Sequence, residues 1–131
     1  MMKKQYFPIT TSAGGAATVY ADGKAALNQP ILGELCGIAY IAGTIDTGAT
    51  VTLTSESGTA GTHTLWSKAT IGTSNLFIHP RELAHNPADG AALTGTAGGD
   101  RVEPIIDGSL KVVVSAGGNA TSGGVIVYYE D

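Results

Sequence analysis

The stretch VVVSAGGNATSGGVIVYYED, residues 112–131, indicates the fold class of this chain. Two runs rich in valine and tyrosine, residues that favour β-strands, flank a connection of glycine and other small residues. Successive side chains of a strand alternate between its two faces, so the second run is apolar on both faces. One face carries Val125, Val127 and Tyr129, and the other carries Ile126 and Tyr128. We predict a β-hairpin here, with its second face or its loop covered by a neighbour.

Strand patterns recur through the rest of the chain. The segment ATVTLTSES, residues 49–57, alternates apolar residues with threonine, which predicts a half-buried strand with a polar outer face. HTLWSKAT, residues 63–70, is the expected hairpin partner of this strand. LGELCGIAYIAGT, residues 32–44, is apolar on both faces and predicts a strand buried on both sides or placed at a subunit contact.

Turn signals separate these strands at short intervals. The pairs Asp22-Gly23 and Asp107-Gly108 are typical of tight hairpin turns, and residues 86–100 are expected to form a surface loop. Eight or nine short strands in 131 residues predict an all-β protein, an antiparallel β-sandwich of jelly-roll type. A Greek-key barrel is the alternative. We expect a single domain over residues 15–131, preceded by an N-terminal arm of residues 1–14 with a glycine hinge.

Composition and charge exclude several classes of partner. The chain has a net charge of −4 and scattered basic residues, whereas nucleic-acid binding needs a stripe of lysine and arginine. No apolar run reaches the roughly 18 residues of a membrane span, and the first residues lack the apolar segment of a signal peptide. We therefore expect no nucleic-acid or membrane partner, and synthesis in a cytoplasm. The single cysteine, Cys36, is predicted to be a buried small apolar residue.

Residues with chemical function do not form a recognisable set. His79 and His85 flank Glu82 at a spacing of six, which differs from that of helical zinc sites. Glu103 and Asp107 match ordinary turn chemistry better than a pair of glycosidase carboxylates. No nucleophile-elbow motif occurs, and GTAGGD, residues 95–100, lacks the lysine of a phosphate loop. We predict that the protein is not an enzyme and has no catalytic residues, cofactor or metal.

The segment RVEPIIDGSLKVVVSAGGNATSGGVIVYYED, residues 101–131, and more loosely residues 31–69, resemble small structural proteins of tailed bacteriophages. The similarity is strongest to head decoration, or cement, proteins. The resemblance implies a β-sandwich that binds the outer surface of an assembled capsid, and often acts as a trimer. The expected partners are then the major capsid protein and further copies of this chain, and the expected location is the virion surface.

The candidate contact residues are large apolar side chains and one arginine. Tyr6, Phe7 and Ile9 are the anchors of the predicted arm. Tyr40 lies in the strand that is apolar on both faces, and Tyr128 lies on the second face of the last strand. Arg101 could pair with a neighbouring subunit. Two alternatives remain, namely a minor tail or head-fibre component, and a sugar-binding β module that uses exposed aromatic rings.

Overall fold

The computed structural model of the chain describes residues 1–20, 31–57, 61–83, 101–102 and 104–131. Ten strands occur in these residues, and none of them forms a helix that could span a membrane. The strands are β1 (Met2–Thr10), β2 (Ala17–Tyr20), β3 (Ile31–Ile41), β4 (Thr50–Ser57), β5 (Gly61–Lys68), β6 (Leu76–Ile78), β7 (Glu82–Leu83), β8 (Arg101–Val102), β9 (Ile105–Ser115) and β10 (Ser122–Glu130).

Eight of these strands form one antiparallel sheet with the order β1-β10-β3-β9-β4-β5. β6 is added beside β3, β2 is added beside β9, and β7 and β8 pair separately. The first residues of β9, Ile105–Gly108, pair with β3, and the following residues, Ser109–Ser115, pair with β4. We call β1, β10, β3, β6 and the start of β9 the first leaflet, and β2, the rest of β9, β4 and β5 the second leaflet.

One apolar core joins the two leaflets. Its fully buried side chains larger than alanine come from five strands and are Phe7, Ile9, Leu35, Ile38, Tyr40, Val51, Leu53, Ile106, Leu110, Val112, Val114, Val125 and Val127. Within each strand these residues lie at alternate positions, as the period of two requires, except that Leu35 and Ile38 of β3 are three residues apart. The predicted all-β antiparallel sandwich is confirmed. The predicted pairing of β4 with its hairpin partner β5 is confirmed as well.

The predicted hairpin at residues 112–131 is wrong. The end of β9, residues 112–115, pairs with β2 and β4 in the second leaflet, whereas β10 pairs with β1 and β3 in the first leaflet. The connection between them crosses from one leaflet to the other, with positive φ angles at Ala116, Gly118 and Ala120. On the second face of each strand, Val113 of β9 and Ile126 and Tyr128 of β10 are only partly buried.

The predicted turn at Asp107-Gly108 is also wrong. β9 continues through this pair, and Gly108 adopts a φ of 107° where the strand passes from β3 to β4. Only glycine adopts such an angle readily, so the Asp-Gly pair marks a bend within a strand rather than a reversal of the chain. The predicted turn at Asp22-Gly23 and the predicted loop at residues 86–100 lie outside the described residues.

Residues 1–14 do not form a free arm in this structure. β1 pairs with β10 along its whole length, and Phe7 and Ile9 are buried in the core. After β1, the hydroxyl of Thr11 donates to the carbonyl of Gly118 at 2.7 Å, and the backbone N–H of Thr11 donates to that of Thr121 at 2.9 Å. Two of the three apolar residues that suggested anchors for a partner, Phe7 and Ile9, are therefore used by the chain itself, whereas Tyr6 remains exposed.

Candidate functional site

The outward faces of the two leaflets differ in chemistry. One cross-strand row of the first leaflet consists of Tyr6, Ile126, Ala39 and Phe77. The corresponding row of the second leaflet consists of Thr18, Val113, Thr52 and Ser67, with a hydrogen bond of 2.9 Å between the hydroxyls of Thr52 and Ser67. The first leaflet thus presents an aromatic and apolar surface, and the second presents mainly hydroxyl groups.

An open groove lies on the outward face of the first leaflet, with a volume of about 380 Å³. It is lined by Met2, Cys36, Gly37, Phe77, His79, Arg81, Tyr128 and Glu130. Aromatic rings form its centre. The ring centroid of Phe77 lies 5.5 Å from that of Tyr128 and 5.1 Å from that of His79, and both pairs are tilted. Distances and angles of this kind are favourable for aromatic pairs.

A β-bulge forms the floor of the groove. Tyr129 pairs with Leu35 and Tyr128 pairs with Gly37, so Cys36 is the extra residue. This residue shifts the alternation of β3, which is why Leu35 is in the core together with Ile38, although the two are three residues apart. Cys36 is half-buried and lines the groove instead of lying in the core as predicted.

Gly37 allows the Phe77 ring to lie close against the strand. A Cβ atom at Gly37 would meet Cε1 and Cζ of Phe77 at 3.3 and 3.4 Å. The Phe77 side chain is nevertheless 58% exposed. One side of the ring therefore lies over the glycine, and a large part of its surface faces solvent.

Polar groups surround the rings. Nδ1 of His79 lies 3.3 Å from the carbonyl oxygen of Cys36, and the Arg81 guanidinium donates to the carbonyl of Pro80 at 2.8 Å. A carboxylate oxygen of Glu130 lies 3.7 Å from the N-terminal amino group. The groove lining thus combines apolar ring surface with a guanidinium, a carboxylate and an imidazole, and the N-terminal amino group lies beside the carboxylate.

The chain ends next to the groove carry a second ion pair. The ammonium group of Lys3 donates to the carboxylate of Asp131, and this hydrogen bond lowers the pKa of Asp131 and raises the pKa of Lys3. Both groups are exposed, so the pair contributes little to stability.

A pair of exposed apolar residues lies further along the same face. Leu32 of β3 is 74% exposed and Ile105 of β9 is 62% exposed. Leu32 pairs with Asp107 and Ile105 pairs with Glu34, so the two apolar residues are diagonal neighbours on adjacent strands. Glu34 and Glu130, which are paired across β3 and β10, separate this apolar pair from the Phe77 groove.

The predicted contact residues lie in different parts of the structure. Tyr6 is 43% exposed on the outward face of β1, and Tyr128 lines the groove, as predicted for the second face of the last strand. Phe7, Ile9 and Tyr40 are buried in the core, so their side chains do not reach the surface. The side chain of the sixth candidate, the arginine that begins β8, lies outside the described residues.

The aromatic centre of the groove was missed by the sequence analysis. Phe77 and His79 lie in the segment NLFIH, whose apolar run is a strand signal, but the pairing partner of so short a strand is not visible in its sequence. Among the described residues, no group of three or more histidine, cysteine, aspartate or glutamate side chains is placed to hold a metal ion. Glu103 and His85 lie outside the described residues.

Comparisons with known proteins found no matching family model and no similar curated protein. Two solved structures share a distant similarity. The crystal structure of PirA aligns over 96% of this chain and 94% of that chain, with 13% identity and a TM-score of 0.45. Endospore appendages of Bacillus, described as disulfide-linked pili, align over 98% of this chain and 86% of that chain, with 14% identity and a TM-score of 0.36. At these scores, neither similarity bears on the function of this chain.

Proposed function

We propose that this protein is a structural virion protein that binds the outer surface of an assembled phage capsid and stabilises it. The resemblance of residues 101–131 to head decoration proteins suggests this role, with the major capsid protein and further copies of the chain as partners. The observation that carries the proposal is the exposed apolar pair, Leu32 and Ile105, on one outward face of a sandwich whose other outward face is rich in hydroxyl groups.

The energetic reasoning starts from these two side chains. Complete burial of a leucine or isoleucine side chain contributes about 1.5–3 kcal/mol, so covering the exposed parts of both gives roughly 2–4 kcal/mol per copy. A protein that binds only the assembled shell stabilises that shell by mass action. The stabilisation from each bound copy of the chain can therefore add to that from the others. Catalysis is not required for this role.

Capsid binding tests the proposal. Purified capsids that lack the protein are mixed with the wild-type chain, and the bound fraction is measured by co-sedimentation. We expect the double variant Leu32→Ser/Ile105→Ser to lose occupancy. The matched control, Val113→Ser, changes a half-buried valine on the outward face of the second leaflet and should bind as the wild type does.

Two results would count against the proposal. One is a wild-type chain that does not sediment with capsids, and the other is a double variant that binds them as well as the wild type does. Thermal denaturation of each free variant confirms that it is folded. Sedimentation equilibrium of the wild-type chain measures whether it forms the expected homotrimer.

A further inference from the structure

We infer that the groove around Phe77 binds a neutral saccharide. The inference does not depend on the proposed capsid role, because the groove and the apolar pair Leu32 and Ile105 are separate parts of the outward face. It is based on the exposed ring, the polar groups around it, the balance of charge and the size of the groove.

The ring of Phe77 provides a stacking surface. It lies over Gly37 on one side and is 58% exposed, and its contact with Tyr128 holds it in place. The face of an aromatic ring is electron-rich, so it attracts the weakly positive C–H groups that line one face of a sugar ring. Stacking also removes apolar surface of both partners from water.

The rim can bind the hydroxyl groups of a sugar. Glu130 supplies carboxylate acceptors, Arg81 carries N–H donors, and the Tyr128 hydroxyl both donates and accepts. Sugar hydroxyls need both donors and acceptors around a ring, and this rim provides both. The arrangement therefore satisfies the polar edge of a sugar while Phe77 covers its apolar face.

The charges of the groove favour a neutral ligand. Arg81 and Glu130 carry opposite charges, so the lining has no net charge when the imidazole of His79 is neutral. An anionic ligand attracted to Arg81 would also meet the carboxylate of Glu130, and a fully apolar ligand would take both charges out of water without compensation. A polyol avoids both costs.

The size of the groove agrees with this ligand class. Its volume of about 380 Å³ is at the low end of the range of small-molecule sites, about enough for one or two sugar rings. Because it is open to solvent, the rest of a glycan chain can extend away from the protein. We expect weak binding of single sugars, with dissociation constants of about 1 mM, because the groove is open and leaves part of a bound sugar in water.

The experiment uses the full chain and defined probes. A glycan array of neutral oligosaccharides identifies bound structures, and saturation-transfer difference NMR with free glucose, galactose and N-acetylglucosamine measures contact in solution. We expect Phe77→Ala and Phe77→Leu to weaken binding at least tenfold. Phe77→Leu retains apolar volume without a ring face, so it separates stacking from general apolar contact. Tyr6→Ala removes an aromatic ring on the same outward face but outside the groove, and should bind as the wild type does.

Several results would overturn the inference. These are a wild-type chain that binds no neutral glycan, Phe77 variants that bind with wild-type affinity, or a loss of binding in Tyr6→Ala equal to that in Phe77→Ala. The capsid assay distinguishes this inference from the proposed function. Phe77→Ala should still sediment with capsids, and Leu32→Ser/Ile105→Ser should still bind the sugar.

Discussion

Replacing Tyr40 with phenylalanine should stabilise the protein. The Tyr40 side chain is completely buried, and its hydroxyl has no hydrogen-bond partner among the described residues. A buried hydroxyl without a partner costs about 1–3 kcal/mol relative to its hydrated state in the unfolded chain. Removing the oxygen leaves the ring in place and opens a space of only one atom. We expect Tyr40→Phe to raise the free energy of unfolding by about 1 kcal/mol, or the melting temperature by about 3–5 °C.

The same substitution should change the response to alkaline pH. Burial raises the pKa of Tyr40 above its usual value of about 10. Above about pH 10 the unfolded chain loses the Tyr40 proton while the folded chain keeps it, so the folded state binds more protons and its stability falls as pH rises. This loss continues until the pH passes the raised pKa of the folded state. Phenylalanine does not ionise, so the advantage of Tyr40→Phe should grow from about pH 9 to about pH 11.

Urea denaturation followed by the fluorescence of Trp66, the single tryptophan, measures both effects. Tyr6→Phe is the matched control, because Tyr6 is 43% exposed and its loss of a hydroxyl should change stability by less than about 0.5 kcal/mol. The reasoning is refuted if Tyr40→Phe lowers the free energy of unfolding by more than about 1 kcal/mol, since the hydroxyl would then have a partner. An unchanged difference between pH 9 and pH 11 would refute the argument from the pKa.

Three further substitutions test the packing by urea denaturation. Leu35→Ala should lower the free energy of unfolding by about 3 kcal/mol, because it opens a cavity at a fully buried site. Leu32→Ala, at a site that is 74% exposed, should lower it by less than about 0.5 kcal/mol, and equal losses in the two variants would contradict the assigned burial. Gly43→Ala should lower the free energy of unfolding by about 2 kcal/mol or more, because Gly43 has a φ of 50° and a new Cβ would clash with the carbonyl oxygen of Ser122. Gly48→Ala is the control and should be nearly neutral, since a Cβ there meets no atom within 4 Å. A larger loss in Gly48→Ala than in Gly43→Ala would refute the geometry of the turn at Gly43. Glu56→Gln removes the partly buried ion pair between Glu56 and Lys111 and should lower the free energy of unfolding by about 1 kcal/mol. A loss below about 0.3 kcal/mol would show that this pair contributes no more than a surface ion pair does.

Local patterns predicted the strands well because alternation is a property of neighbouring residues. Val51 and Leu53 are buried on one face of β4, and the threonines at 50 and 52 are only partly buried on the other. Val127 and Tyr129 face the core, and Tyr128 faces outward. These assignments need no knowledge of which strands pair.

Pairing between strands was less predictable because it depends on distant partners. β9 and β10 are consecutive and separated by six residues, yet each pairs with strands elsewhere in the chain. The bulge at Cys36 and the bend at Gly108 both alter the geometry of a strand without a change in its composition. In physical terms, the register is fixed by the packing of the whole core rather than by a local turn.

The candidate groove was predictable only where a side chain's position follows from alternation within one strand. Tyr128 was expected on an outward face, and it lines the groove. Phe77 comes from a three-residue strand, and its position over Gly37 depends on the pairing of β6 with β3. The sequence shows that Phe77 lies in a strand, but Gly37, which leaves room for its ring, lies forty residues earlier in the chain.

The sharing of β9 between the two leaflets bears on how the protein folds. Because one continuous strand is hydrogen-bonded into both leaflets, neither can open fully without breaking part of the ladder of the other. Unfolding should therefore be a single cooperative event, with backbone amides at both ends of β9 exchanging their hydrogens at similar, global rates. Folding should be slow for a chain of this size, since β9 joins partners from early in the sequence and cannot be placed until most of the chain is available.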